Sequence, residues 1–391
     1  MKNIAILTSS LSTGGAERIA GLLSVALTTE YNVYIVLLEN KKIQYEYGGQ
    51  LFVTSFTEKY NHFRKKICGK VVSKFAYLST LREIRQFKEE HDIDCTISLL
   101  ETPNIFNILS RKKDRVIVSV RSTRSLQNET LVDRIENFGI KLLYKNADCV
   151  VATSYGVADD LIKNFHVSKH LVEVVYNICD VNKIRSAFYK NTNNIDDSLF
   201  EHKNCIVSMG RLIPSKQQIK LINICHGLFD LIDDPFLIIM GDGPLEGEIR
   251  KEIDTLGENN RMTLLHFQDN PFYILHKAKV FVMNTEREGF CNSILEAMAC
   301  KTAVVSTDCY SGPREIIADY TDYSESFDGY KCFDRGILCP VGNDKEMQLA
   351  LKEMLLNDSY RVSCIEKANL YLKQFSSESI MSKWIALIES K

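Results

Sequence analysis

Long apolar runs are missing from this chain. No stretch of its 391 residues is long enough to cross a bilayer as a helix. Cysteines in metal-binding spacing are missing too. The twelve cysteines are scattered, with no C-x-x-C pair and no Cys/His cluster. That argues against structural zinc and against a disulfide framework, and favours a reducing cytosol. Several of them, such as Cys149 and Cys205, sit in apolar runs and read as small core residues. A large net charge is also absent. At −2, the chain gives a nucleic-acid partner no global electrostatic support. The first 180 residues are mildly basic and the rest acidic. There is no short repeat and no low-complexity tract. The N-terminus, M-K-N-I-A-I-L-T, has too short an apolar part for a signal peptide and reads as a first strand. A cytoplasmic location is expected.

What is present is an alternation of short β-branched runs and longer helical patterns. Strands are predicted over 4–8, 33–38, 95–100, 116–120, 149–152 and 172–175, and again over 206–209, 236–240, 262–265, 280–283, 303–306 and 336–338. This βαβ rhythm, given twice, predicts an α/β chain of two doubly wound, Rossmann-like domains. The length suits two domains of ordinary size. Residues 177–204 are polar, rich in Asn, Asp and Lys, and weakly periodic, so they read as linker and surface. Three helical patterns follow Asp344, and the last holds the only tryptophan, Trp384.

Residues 285–299, T-E-R-E-G-F-C-N-S-I-L-E-A-M-A, carry the most information. The apolar run 280–283 before them reads as a buried strand, and a helical pattern follows. Glu288 is therefore expected at the C-terminal end of a strand, and Glu296 about one turn into the next helix. In an open α/β sheet that edge is where ligands bind. The amides of Phe290, Cys291, Asn292 and Ser293 would point outward at the helix start, suited to an anionic or polyhydroxyl ligand. This arrangement resembles the E-x7-E motif of retaining glycosyltransferases of family 4, which have the GT-B fold. The resemblance implies that Glu288 contacts hydroxyls of a donor sugar and that Glu296 holds the ribose of its nucleotide. Gly289 and Phe290 after the first Glu, and Ala297-Met298-Ala299 after the second, strengthen it.

Other segments match the same family. Leu11 to Arg18, L-S-T-G-G-A-E-R, directly follows the first strand. Gly14 and Gly15 let the backbone come close to a ligand, and the resemblance puts this loop against the donor diphosphate and the acceptor. Arg211 and Lys216 match its G-R-x4-K element. Both can meet the charge gathering on a leaving diphosphate without metal or reorganisation. Gly241-Asp242-Gly243-Pro244 matches a turn near the donor site; a purely structural turn is the other reading. His266-Phe267-Gln268-Asp269-Asn270-Pro271 matches the loop whose backbone meets the nucleobase. His266 itself reads as a loop residue, with no partner cluster to make it a metal ligand. Ser311-Gly312-Pro313-Arg314-Glu315-Ile316 resembles a segment of the bacterial polysaccharide members, with support of the donor loop as its implied role. Asp92-Ile93-Asp94 is formally D-x-D, but precedes a strand with no companion ligand and reads as a turn. No catalytic metal and no other cofactor are expected.

One departure stands out. Family members often carry a His in the loop after the fourth predicted strand. Here that loop is S-V-R-S-T-R, and Arg121 takes the place on the acceptor side. A basic segment, Lys59, Arg64, Lys65, Lys66, Lys70, Lys74, Arg82, Arg85 and Lys88, is interleaved with apolar residues. It reads either as a solvated helix face or as an element for an anionic membrane surface. The resemblance covers nearly the whole chain. It implies domain 1–178, acceptor-binding and joined by a last helix at about 376–391, and domain 179–375, donor-binding, facing across a cleft. It implies a UDP-sugar donor, a lipid-linked or saccharide acceptor, surface polysaccharide assembly, and a peripheral position on the inner face of the membrane. An epimerase on the same fold and a non-catalytic sugar-nucleotide binder are the alternatives.

Overall fold

Each run of β-branched residues becomes one strand of a mainly parallel sheet, because helices cover both faces and the strands need no polar side. The computed structural model describes residues 1–12, 14–58, 69–127, 130–192, 194–318, 322–323 and 325–390, with side chains at 69–74 left aside. The chain divides into two compact units, Met1–Ile178 with Ser377–Lys391, and Cys179–Ser376.

The first unit holds β1 (Asn3–Thr8), β2 (Asn32–Leu37), β3 (Gln50–Val53), β4 (Cys95–Leu99), β5 (Arg115–Val120), β6 (Cys149–Ala152) and β7 (Val172–Val174). All are parallel, in the order β3-β2-β1-β4-β5-β6-β7. The order reverses between β1 and β4, so the loops leaving those two strands diverge and leave room for a ligand. On one sheet face Ile4 and Ile6 pack with helix Gly15–Leu27 and with the last helix, Ser377–Glu389, through Ile380, Met381, Trp384 and Ile388. On the other face Ala5 and Leu7 meet Ile84 and Phe87 of helix Gly69–Glu90 and Phe106 of helix Glu101–Leu109. The last helix is also pinned at its end. Glu389 accepts from Lys2 at 2.6 Å and from the Tyr31 hydroxyl at 2.9 Å, and the Leu387 carbonyl accepts from Arg115 at 2.9 Å.

The second unit holds β8 (Asn204–Met209), β9 (Pro235–Met240), β10 (Met262–Leu265), β11 (Val280–Met283), β12 (Ala303–Thr307), β13 (Lys331–Phe333) and β14 (Gly336–Cys339). The order is β10-β9-β8-β11-β12-β14-β13, parallel except for the β13–β14 hairpin. Here the reversal falls between β8 and β11, the strands that lead into Arg211 and Glu288.

Three expectations change. Strands β3 and β13 were not foreseen. Both are short edge strands whose residues are exposed or half-buried, so neither shows an apolar run. Residues 177–204 are more than linker and surface. They include helix Val181–Ala187, whose start Asp180 caps by accepting from the Lys183 amide at 2.9 Å. Ile184 and Phe188 are buried, and Arg185 donates to the Ala299 carbonyl at 3.2 Å. A helix of two turns burying one residue leaves no readable periodicity. Lys88, counted among the surface cations, is buried. Its ammonium lies 2.8 Å from Asp114 and 2.9 Å from the Asn107 side-chain oxygen. Burial lowers its pKa against the opposing pull of Asp114. Lys59, Arg64, Lys65 and Lys66 lie outside the described residues, and the Lys70 and Lys74 side chains are not described. No described helix is long and apolar enough to cross a membrane.

Trp384 fills a core otherwise built from distant segments. Trp384→Ala should therefore destabilise the protein by about 3–5 kcal/mol, the usual scale for emptying so large a site. Urea unfolding followed by circular dichroism measures it. The exposed Ala386→Ser should stay within about 0.5 kcal/mol; equal effects of both would show that this helix adds no core.

Candidate active site

Strand β8 ends at Met209, and the chain passes through a short 3-10 turn, Pro214–Lys216, into helix Gln218–Phe229. Strand β11 ends at Met283, and residues 284–291 lead into helix Asn292–Ala299. These two loops are stapled together. The Ser215 carbonyl accepts from the Glu286 amide at 2.9 Å and from the Thr285 hydroxyl at 3.0 Å. Gln217 donates to Glu286, and Gln218 to the Arg211 carbonyl at 2.9 Å. The staples bring Lys216 and Glu288 into a direct ion pair. Burial pulls the Lys216 ammonium down, but the Glu288 carboxylate outweighs it and holds the pKa above the ordinary lysine value. Arg211, on the same loop, is exposed and has no side-chain partner among the described residues.

The Gly241-Asp242-Gly243-Pro244 turn braces the Arg211 loop. Gly241 has φ +147°, and a Cβ there would stand 2.0 Å from the Gly210 carbonyl oxygen. Leu212 donates to the Asp242 carbonyl at 2.9 Å and accepts from the Leu245 amide at 3.2 Å. Ser311 braces the other loop, its hydroxyl donating to the Glu288 carbonyl at 2.6 Å. Arg314 is buried against Asp308, and Glu315 accepts from the Tyr323 hydroxyl at 2.5 Å, so these two serve the scaffold.

Glu296 is buried one turn into helix Asn292–Ala299. Cys291 is its N-cap, so Asn292 and Ser293 lie in a first turn whose amides no carbonyl of the helix can take. Phe290 and Cys291 are buried, and the Phe290 ring packs on Phe375 with centroids 5.7 Å apart. Gly289 is buried as well. Phe267 exposes its ring on the loop after β10, and its amide donates to Asp242 at 3.0 Å. His266 does have partners, contrary to the sequence reading. Its Nδ1 lies 3.3 Å from Asp242 and its Nε2 3.7 Å from Glu246, and the three ligand atoms fall within 4.8 Å of one another. Glu246 also pairs with Arg250 at 3.0 Å. The cluster was hidden because its carboxylates stand a helix and a strand upstream.

In the first unit, Gly14 caps helix Gly15–Leu27 at the end of β1, and its amide donates to the Tyr45 hydroxyl at 3.3 Å. Arg121 follows β5. It donates to the Ser119 hydroxyl at 3.2 Å and to the Asn177 side-chain oxygen. Burial lowers its pKa to about 10, with no carboxylate in opposition among the described residues. Arg124, three residues on, faces three: Glu136 at 3.1 Å, Glu101 at 3.7 Å and Asp133 at 3.8 Å. It is a scaffold residue. Glu101 was missed by the sequence reading, although its place just past β4 puts it on the ligand edge. Burial raises its carboxyl pKa against the pull of Arg124, and its Oε1 has no hydrogen-bond partner among the described residues. Asp92 and Asp94 sit at the opposite, N-terminal edge of β4. Asp94 accepts from the Asn3 amide at 2.7 Å, as a turn residue would.

Residues 13–183 match the profile described as Glycosyltransferase Family 4, and residues 190–370 that of Glycosyl transferases group 1. One relative is the N-acetylgalactosamine-N,N'-diacetylbacillosaminyl-diphospho-undecaprenol 4-alpha-N-acetylgalactosaminyltransferase of Campylobacter jejuni. It is 30% identical over 390 residues, 97% of this chain and 97% of the relative. The chain belongs to glycosyltransferase family 4. A second Campylobacter jejuni relative of this transferase is the GalNAc-alpha-(1->4)-GalNAc-alpha-(1->3)-diNAcBac-PP-undecaprenol alpha-1,4-N-acetyl-D-galactosaminyltransferase, 26% identical over 99% of this chain and 98% of its own. Among solved structures, Anabaena HepE in complex with UDP-glucose superposes with a TM-score of 0.77 at 17% identity, covering 100% of both chains. The glycosyltransferase thus has the GT-B fold, with a doubly wound sheet in each unit.

In this family 4 enzyme Arg121 is a cation that no described carboxylate neutralises. Because its folded-state pKa is depressed, the cost is in force at neutral pH and fades as pH rises through about 10. Arg121→Met should therefore leave thermal stability equal or higher, while turnover falls by about tenfold or more as an orienting contact is lost. UDP affinity should hold. Normal turnover in Arg121→Met would remove this loop from the active site.

Proposed function

We propose that this glycosyltransferase retains anomeric configuration and moves a hexose or N-acetylhexosamine from a UDP-sugar to a lipid-linked saccharide acceptor in surface polysaccharide assembly. The observation that carries the reading is the Lys216–Glu288 ion pair on the ligand edge of the second sheet, with Arg211 exposed beside it. Both Campylobacter relatives are named for saccharides on diphospho-undecaprenol, and HepE was solved with UDP-glucose. These names support the choice of acceptor and donor.

The chemistry follows from charge. As the bond from the sugar's anomeric carbon to the phosphate oxygen breaks, negative charge gathers on the diphosphate. Arg211 and Lys216 meet it with groups already in place. The incoming acceptor hydroxyl attacks from the same face, and its proton passes to the departing phosphate oxygen. Glu288 takes sugar hydroxyls and Glu296 the ribose. Phe267 offers an exposed ring on which a uracil can stack. Gly14, Gly15 and Arg121 serve the acceptor side. Since two cations already answer the leaving charge, we propose that no metal takes part.

Two tests separate the roles. Arg211→Ala or Lys216→Ala should lower turnover by about 100- to 1,000-fold; a loss of only a few-fold in both would sink the assignment. Glu288→Gln should also lower turnover, yet bind free UDP at least as well as the wild type, because Lys216 is released from its carboxylate. Glu296→Ala should weaken UDP. Calorimetric titration with UDP reads both, and weaker UDP binding in Glu288→Gln would reverse the division of roles. Turnover should survive EDTA.

A further inference from the structure

The helix Leu131–Leu143 does not hide its apolar side. Leu131, Ile135, Phe138 and Leu142 recur at i, i+4, i+7 and i+11, one face of a helix, and Val132 borders them. That face is open to solvent: Leu131 is 73% exposed, Ile135 59%, Phe138 66% and Leu142 50%. The helix is instead held through its other side. Ile140 is buried, and at Gly139 a Cβ would come within 2.7 Å of the Ile105 side chain of the neighbouring helix.

The charges are sorted as sharply. Both acids of the helix are drawn inward. Asp133 closes a capping box with Thr130 and lies 3.8 Å from Arg124, and Glu136 lies 3.1 Å from Arg124. The exposed charged residues are Arg134 and Lys141, with Lys145 in the turn that follows. Lys141 also lies over the Phe165 ring at 5.7 Å. Among the described residues of this helix and the turn after it, the open face is therefore apolar and its exposed charges are cations. Helix Glu101–Leu109 packs beside it and helix Gly69–Glu90 beyond that, and the latter also exposes Phe75 and Leu78, 60% and 63%.

We infer that this face docks on an anionic lipid bilayer. Apolar side chains enter the boundary between headgroups and acyl chains, while the flanking cations meet the anionic headgroups. A protein partner could take the apolar stripe. The exclusion of both acids from the exposed side fits a surface of one sign. The purpose of the contact rests on the lipid-linked acceptor proposed above, but its geometry does not.

The test is co-sedimentation with vesicles of phosphatidylcholine alone and with phosphatidylglycerol added. Wild type should pellet with the anionic vesicles. The double variant Ile135→Asp/Phe138→Asp should lose at least about tenfold in partitioning, since each change removes a whole apolar side chain from the contact. Arg134→Gln/Lys145→Gln should lose about fivefold per cation and its preference for the anionic vesicles. Circular dichroism and donor hydrolysis should be unchanged in both, since none of these residues is in the active site. Wild type that stays in solution, or an aspartate variant that pellets like wild type, overturns the proposal. So does a wild-type dimer that the aspartate variant turns into monomer without effect on vesicles, which would assign the face to a second copy. Loss of donor hydrolysis in the wild type would sink the transferase reading and leave the docking result standing.

Discussion

A parallel strand can be followed by another only if the chain crosses back over a sheet face. Every such crossover returns to the same edge, so all loops at the C-terminal ends gather on one side. Both units obey this constraint, and each reverses strand order once, between β1 and β4 and between β8 and β11. The placement of the residues proposed for the site follows from it. Gly14 comes after β1, Arg121 after β5, Arg211 after β8 and Glu288 after β11. Asp92 and Asp94, equally acidic, lie at the wrong end of β4 and are spent on a turn.

Position alone would leave four loops free to move. The second unit fixes its two by hydrogen bonds that use mainly backbone and uncharged groups, and leaves Arg211 exposed. Ser215 receives Thr285 and Glu286, Ser311 holds the Glu288 carbonyl, and Gly241 lets a third loop press against Gly210. The Lys216–Glu288 pair is the consequence. In water at close range such a pair is weak, but partly buried it is held firmly. It keeps a cation and a carboxylate largely shielded from solvent. In the reaction proposed above, an anionic diphosphate would satisfy Lys216 and sugar hydroxyls would satisfy Glu288, so one ligand would replace one internal contact on both sides.

The sequence showed the central strands well, because a strand buried on both faces must be a continuous apolar run. It showed the E-x7-E spacing because helix and strand geometry tie Glu288 to Glu296 locally. It could not show what long-range packing decides. Strands β3 and β13 lie at sheet edges and lack apolar runs. Lys88 looks like any surface cation until Asp114 and Asn107 are folded against it. His266 looked alone because Asp242 and Glu246 arrive from an earlier turn. The amphipathic face of helix Leu131–Leu143 was legible in principle at i, i+4, i+7 and i+11. Such spacing normally marks the buried side, and only the fold reveals that this one is open.

That open helix and the loop after β5 are parts of one arrangement. Arg124 stands three residues from Arg121, and its guanidinium is held by Asp133 and Glu136 from the helix and by Glu101 from the end of β4. The Arg124 amide donates to Asp160 at 2.8 Å, fixing the backbone as well. Turning both acids inward toward Arg124 does two things at once. It anchors the loop that carries Arg121, and it strips the outward face of negative charge. A helix pressed on a bilayer would then bear, through the same carboxylates, on the loop assigned to the acceptor. The residue that makes the surface cationic on balance is thus also the one that sets where Arg121 stands.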